Sequence, residues 1–112
     1  MKHSMNLHAG PFEMIESGNK TIELRLNDEK RRKIKVGDTI EFACGERTMQ
    51  MVVTALYPFD SFEALYRALP LDKCGYLPHE LESASAQDMQ AYYSLEQQKQ
   101  YGVLGIEIER CP

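Results

Sequence analysis

The sequence is poor in the residue groupings that mark metal centres and disulfide frameworks. Its three cysteines, Cys44, Cys74 and Cys111, are odd in number and widely spaced, and none forms a close metal-ligand pair. The histidines are equally scattered, without the spacing of a zinc-binding helix. We therefore expect neither a structural zinc nor a disulfide framework, and no metal or other cofactor.

Long apolar runs are also missing. No segment approaches the ~20 apolar residues that a membrane span needs, and the first residues, MKHSMNLHAG, lack the apolar core of a signal peptide. The chain also has no glycine-rich phosphate loop and no nucleophile elbow. We expect a cytoplasmic protein that does not contact a membrane.

The chain also lacks an excess of positive charge. The formal net charge is -4, which argues against a protein that coats nucleic acid by bulk attraction. A local basic patch remains compatible with a polyanionic ligand. The 112 residues and their ordinary globular composition predict a single domain over residues 1–112.

Hydrophobic periodicity predicts alternating strands and helices. We expect strands at 1–8, 21–27, up to about 43, 48–59 and 102–110. We expect helices at 10–18 and 61–69, and a polar helix or a pair of short helices at 86–102, with Ser85 and Asp88 as an imperfect capping box. The long loop 71–82 is either functional or mobile. Together these elements predict an α+β fold, with about five or six strands closed into a small barrel and two or three flanking helices.

The stretch GNKTIELRLNDEKRRK, Gly18–Lys33, concentrates the polar chemistry. On the predicted strand, Glu23 and Arg25 share a face about 7 Å apart along the backbone, so they could grip one ligand between them. The alternative is an ion pair on a solvated face. Strict alternation places Lys20 on the opposite face, where it is either a solvated strand-end lysine or a side chain that reaches round into the site.

A dense basic run follows immediately. Its members are Lys30, Arg31, Arg32, Lys33 and Lys35. We expect Arg31 and Arg32 to form a positive rim that attracts phosphate, and the alternative is a solvated loop that keeps the protein soluble.

Tyrosines offer a further binding surface. Tyr93, Tyr92, Tyr76 and Tyr101 could stack on a base, at about 1–3 kcal/mol for each stacked base. Adjacent Tyr92 and Tyr93 cannot face the same way on a helix, so we expect at least one of them to pack in the core. Tyr93 is our candidate for the ligand. His8 could lie near the site because the first strand often neighbours the second, and the favoured alternative is a surface or hydrogen-bonded histidine.

The combination of a helix, then Gly18, Lys20, Glu23 and Arg25 spaced as Gly-x-Lys-x-x-Glu-x-Arg, then Gly37-Asp38 before a strand, resembles the ASCH domain family of the PUA-like superfamily. The C-terminal stretch YYSLEQQKQYGVLGIEI is similar to that family's closing helix and strand. The resemblance covers nearly the whole chain. It implies a PUA-like β-barrel with flanking helices and a cleft lined by the motif.

The resemblance also implies two classes of function. One is a module that binds RNA or a nucleotide in a cleft lined by Lys20, Glu23 and Arg25. The residue patterns add Thr21, Arg31, Arg32 and Tyr93 as further candidates for ligand binding. The other is a small metal-independent hydrolase acting on RNA or on a modified nucleoside such as N4-acetylcytidine, with Lys20 and Glu23 as catalytic residues. In the amidohydrolase-like members a nucleophilic threonine stands three residues after the lysine, where this chain has Glu23. Thr21 is the nearest hydroxyl, and Glu23 could instead activate water as a general base.

Overall fold

The computed structural model describes the whole chain from Met1 to Pro112. Its strands and helices, in chain order, are β1 Lys2–Asn6, α1 Ala9–Glu16, β2 Ile22–Leu26, β3 Thr39–Cys44, β4 Arg47–Phe59, α2 Phe62–Ala68, α3 Leu95–Tyr101 and β5 Val103–Arg110. Short 3₁₀ turns lie at Arg31–Lys33, Leu71–Cys74, Pro78–Glu80 and Ala86–Ala91. None of the helices combines the length and apolar content needed to cross a bilayer.

The strands form one five-stranded sheet in the order β1-β3-β4-β5-β2. The β1–β3 pair is parallel and the other pairs are antiparallel. Because β1 and β2 are the two edges and do not pair with each other, the curled sheet is a half-barrel. The predicted α+β fold with five strands and flanking helices is confirmed, and the barrel is open between β1 and β2.

A side chain bridges that opening. Arg25 on β2 donates from Nη2 to the backbone carbonyl oxygen of Asn6, at the end of β1, over 3.0 Å. The open seam between β1 and β2 therefore lies at the motif that the sequence singled out. Beside it, β2 is held on its other edge by β5, with Glu23 opposite Ile106 and Arg25 opposite Leu104.

The hydrophobic core has two parts. One packs α1, through Phe12 and Ile15, against residues of the sheet that include Ile40 and Phe42. The other packs α2, through Phe62 and Leu65, with β2 and with residues of the long connection between α2 and α3. Strand β2 is therefore covered by this second cluster rather than left facing solvent.

The connection between α2 and α3 is compact. Ser61 begins α2 by accepting a hydrogen bond from the Ala64 N–H. The predicted capping box is present, since Ser85 accepts from the Gln87 N–H and Asp88 accepts from the Ser85 N–H. The predicted polar helix at 86–102 is a 3₁₀ turn followed by the separate helix α3, so the expectation of two short helices was the better one.

Candidate functional site

A cleft of about 650 Å³ opens beside β2. Its walls come from the end of β1 and the start of α1, from β2 with the nearby Lys20, from Tyr66 of α2, and from the connection between α2 and α3. The lining residues are Asn6, Leu7, His8, Gly10, Pro11, Met14, Lys20, Glu23, Leu24, Arg25, Tyr66, Cys74, Gly75, Tyr76, Leu77, Glu80, Asp88, Met89, Tyr92 and Tyr93. The cleft thus contains the lysine, glutamate and arginine of the motif.

Glu23 is the central charged residue of the cleft. It is only 4% exposed, and both of its carboxylate oxygens are paired. Lys20 Nζ lies 2.8 Å from Oε1, while Arg25 donates to Oε2 from Nε at 3.0 Å and from Nη2 at 2.9 Å. The alternative of an ion pair on a solvated face is therefore wrong, because the carboxylate of Glu23 is buried.

Lys20 reaches Glu23 because it lies outside the strand. Strand β2 begins at Ile22, so the alternation that would turn Lys20 away does not extend to it. Its backbone N–H donates to the Met14 carbonyl, and its aliphatic stem passes over Gly75. A Cβ on Gly75 would lie 3.3 Å from Lys20 Cδ, and Gly75 has a φ of +108°, a conformation that favours glycine.

The electrostatics of this triad follow from burial and pairing. Burial by itself would raise the pKa of Glu23, but the charges and hydrogen bonds of Lys20 and Arg25 outweigh it and hold that pKa below its usual value of 4.5. Glu23 is therefore an anion at neutral pH and a weak base. Two cations against one carboxylate leave the triad with an excess positive charge.

Arg25 and Lys20 carry hydrogen-bond donors that no acceptor in the protein uses. Arg25 uses Nε and Nη2 on Glu23 and Asn6, and its Nη1 has no partner in the protein. Lys20 uses one ammonium N–H on Glu23 and keeps the others free. These unused donors lie in the wall of the cleft, where a ligand oxygen could accept from them.

Tyrosines form much of the opposite wall. Tyr93 lines the cleft while its ring stacks on Phe62, with centroids 6.1 Å apart and planes 17° apart. Tyr92 also lines the cleft and is 65% exposed. The expectation that at least one of these neighbours packs in the core is confirmed, since Tyr93 packs against the second core cluster. Neither tyrosine is helical, because the 3₁₀ turn ends at Ala91. Tyr101 also packs against the second core cluster.

A chain of hydrogen bonds lies in the same wall. The Tyr66 and Tyr76 hydroxyls are 2.7 Å apart, and the Tyr76 hydroxyl donates to Asp88 Oδ2 at 2.7 Å. Burial, together with these two partners, raises the pKa of Tyr76. Neither Tyr66 nor Asp88 was predicted from the sequence to belong to the site. Tyr66 carried only a helical core spacing, and Asp88 carried only its capping position.

Three of the remaining candidates, Arg31, Arg32 and Thr21, lie outside the cleft. Arg31 pairs with Asp28, Nη1 to Oδ2, at 3.0 Å. Arg32 donates to the Asn27 carbonyl at 2.8 Å and to the Tyr101 carbonyl at 3.2 Å. Thr21 is tied through its backbone to Lys73 and Ile108. None of these three lines the cavity, whereas His8 does. Contact of Arg31, Arg32 or Thr21 with a ligand stays a prediction.

The chain is similar to solved structures over nearly its whole length. The chain is similar to the crystal structure of hypothetical protein PH0355, with 35% identity and a TM-score of 0.84 over 99% of this chain and 100% of that one. It is also similar to the solution NMR structure of protein PF0455 from Pyrococcus furiosus, with 36% identity and a TM-score of 0.74 over 98% and 97% of the two chains. Among curated proteins no sequence matches.

A family model gives the assignment. The model of the ASCH domain matches residues 5–112, which includes every strand except the start of β1, all three α-helices and the entire motif. This match agrees with the resemblance drawn from Gly18, Lys20, Glu23 and Arg25. The chain belongs to the ASCH domain family, within the PUA-like superfamily.

Proposed function

We propose that the cleft binds a nucleotide-sized ligand, either a nucleotide or one unit of a single-stranded RNA. The observation that carries the proposal is the buried Lys20–Glu23–Arg25 triad in a cavity walled by tyrosines. Small-molecule sites have volumes of about 300–1,000 Å³ and combine apolar walls with a few convergent polar groups. A cavity of about 650 Å³ falls within that range.

The triad suits the edge of a base. Free N–H groups of Lys20 and Arg25 would donate to a carbonyl or phosphate oxygen, and guanidinium groups commonly read such acceptors. Glu23 Oε1 has one partner and retains capacity to accept from an exocyclic amine. The exposed ring of Tyr92 is available to stack on the base, as aromatic side chains do in single-strand recognition.

The hydrolase alternative has less support. Its general base would be Glu23, whose pKa is lowered by Lys20 and Arg25, and a base works best when its pKa lies near the working pH. Thr21, the nearest hydroxyl in sequence, does not line the cavity. Binding is therefore the function that the site supports best, with RNA or a nucleotide as the partner, and turnover is the outcome that would overturn it.

The basic run would act outside the cleft. Arg31 and Arg32 spend donors on Asp28 and on backbone carbonyls, while Lys30, Lys33 and Lys35 are exposed. If the ligand is a polymer, these lysines are the groups available to its flanking phosphates. A mononucleotide would not need them.

Calorimetric titration with cytidine, uridine, their 5′-monophosphates and a short single-stranded RNA would test the proposal. Lys20→Ala should weaken binding about tenfold, because a charge-assisted hydrogen bond is lost. Arg25→Lys, which keeps the charge and loses the planar fork, should weaken it by a similar factor.

The matched control is Arg47→Ala. Arg47 pairs with Glu13 and Glu16 on the surface and lies outside the cavity, so its removal should leave affinity unchanged. Absence of binding by the wild-type protein at low salt would overturn the proposal. Parallel incubation with N-acylated nucleosides and RNA, followed by mass spectrometry, would show turnover if the protein is instead an enzyme.

A further inference from the structure

The Tyr66–Tyr76–Asp88 chain has a fixed direction. An ionised carboxylate only accepts hydrogen bonds, so the Tyr76 hydroxyl spends its proton on Asp88. The Tyr76 oxygen must then accept from the Tyr66 hydroxyl. Both hydroxyl protons point along the chain toward Asp88, and neither is free for a ligand. This part of the wall therefore offers acceptors only.

Asp88 has one oxygen left over. Its Oδ2 accepts from the Tyr76 hydroxyl at 2.7 Å and from the Ser85 N–H at 3.2 Å, while Oδ1 has no partner in the protein. The capping role of Asp88 thus accounts for Oδ2 alone. The free Oδ1 belongs to an exposed residue that lines the cleft, and it can accept a hydrogen bond from a ligand.

Glu23 is buried in the cleft and Asp88 is exposed, so the two carboxylates would contact different parts of a ligand. Glu23 is 4% exposed, and the triad around it supplies both donors and an acceptor, which is what a base edge requires. Asp88 is exposed, near the mouth of the cleft. A nucleoside whose base reaches the triad would leave its sugar toward the mouth.

We infer that Asp88 is a specificity-determining residue that accepts a hydrogen bond from a ribose hydroxyl, so that the cleft selects ribonucleosides over 2′-deoxyribonucleosides. A carboxylate on a ribose hydroxyl is a recurrent device in nucleotide-binding sites. Tyr76 is the positioning residue that orients this carboxylate. The inference rests on the proposed function, since it requires that the base occupy the cleft.

The test compares the affinities of cytidine and 2′-deoxycytidine by calorimetry. Wild-type protein should prefer cytidine about tenfold, the loss expected for one hydrogen bond to a charged acceptor. In Asp88→Asn the single amide oxygen is needed by the Ser85 N–H, which preserves the cap and leaves the amide nitrogen facing the ligand. The preference should fall several-fold, because the neutral amide N–H can only donate to the ribose oxygen in a weaker hydrogen bond, and the affinity for 2′-deoxycytidine should be retained.

Further variants separate Asp88 from its surroundings. Tyr76→Phe should reduce the preference while leaving the cap intact. Glu82→Gln removes the same charge from an exposed residue of the same connection that does not line the cleft, and it should keep the full preference. Glu80, which lines the cleft and accepts from the Leu77 N–H, is tested by Glu80→Gln.

The outcomes are distinct. Equal binding of the two nucleosides by wild-type protein would overturn the role of Asp88 and leave the proposed function standing. Loss of the preference in Glu80→Gln, with Asp88→Asn unchanged, would overturn the assignment to Asp88. Failure of both nucleosides to bind would overturn the inference and the proposed function together.

Discussion

The two positively charged segments of this chain behave in opposite ways. The basic run at Lys30–Lys35 has the higher density of charge, yet Arg31 and Arg32 are engaged by Asp28 and by backbone carbonyls. The triad has only Lys20 and Arg25, but both side chains are mostly buried, at 11% and 14% exposure, around one carboxylate. Charge density in a sequence is therefore a poorer guide to a site than burial beside a partner.

The two segments differ because their charged side chains are exposed to solvent to different degrees. An exposed cation is well hydrated and its interactions are screened, so it contributes little to stability and specificity. A buried cation must be paired, and its unused donors act in a medium where each hydrogen bond is stronger. Four experiments would test this difference between the triad and the basic run.

Replacement of one arginine in each segment should give the largest contrast. Arg25→Ala leaves the buried Glu23 carboxylate short of a partner and should lower the free energy of unfolding by about 3 kcal/mol. Arg32→Ala removes hydrogen bonds at an exposed position and should cost about 1 kcal/mol or less. Urea denaturation of the two variants measures both values. Equal losses would mean that the two segments do not differ energetically.

The path of Lys20 over Gly75 gives the second test. Gly75→Ala adds a Cβ at 3.3 Å from Lys20 Cδ, in a backbone conformation of φ +108°. We expect a loss of about 1–2 kcal/mol of stability and weaker ligand binding, because Lys20 must shift. Gly37→Ala is the control, since Gly37 has a similar φ of +94°, a Cβ there meets nothing within 4 Å, and Gly37 does not line the cleft. An unchanged melting temperature for Gly75→Ala would contradict the tight approach.

Acid unfolding reports on Glu23. Its pKa in the folded protein is held below 4.5, so its pairing stabilises the protein fully above that pH, and the stabilisation is lost as the pH falls through the lower folded value. Glu23→Gln should therefore flatten the pH dependence of stability in that window, while the exposed control Glu82→Gln should not. Urea denaturation at a series of pH values from about 3 to about 7, a range that spans the titration of unfolded carboxyl groups, measures the profiles. Parallel profiles for wild-type protein and Glu23→Gln would contradict the coupling.

The smallest effect concerns the exposed lysines. Substitution of Lys30, Lys33 and Lys35 by alanine should leave nucleoside affinity unchanged. For a short single-stranded RNA, each phosphate that the protein no longer neutralises should reduce the slope of log affinity against log salt by about 0.7. Calorimetric titrations at several salt concentrations would measure that slope. A large drop in nucleoside affinity in this variant would place the basic run in the cleft after all.

Much of the fold was predictable because it depends on local signals. The alternation of Ile22, Leu24 and Leu26 predicted β2, and the Ser85–Asp88 spacing predicted the capping box. Asp60 and Ser61 were both possible caps of α2, and Ser61 is the one that the structure uses. Each signal acts over a few neighbouring residues, so it does not depend on how the rest of the chain packs. The helical prediction for Tyr92 and Tyr93 failed because a 3₁₀ turn, rather than an α-helix, precedes them.

The membership of the candidate site was predictable only in part. The sequence identified Lys20, Glu23 and Arg25 but did not show whether they meet, because alternation alone puts Lys20 on the other face of the strand. It did not identify Tyr66 or Asp88 as site residues. Their connection through Tyr76 depends on how α2 packs against the segment that follows it.

Local sequence patterns were enough to predict the α+β class, most of the strands and helices, and the motif typical of the ASCH domain family, to which the chain belongs. The burial of Glu23, the reach of Lys20 over Gly75 and the tyrosine wall of the cleft all depend on how distant segments pack. Periodicity and capping are short-range properties of the chain. Burial and the pairing of charges are created when distant segments pack together, and they decide which polar residues form a site.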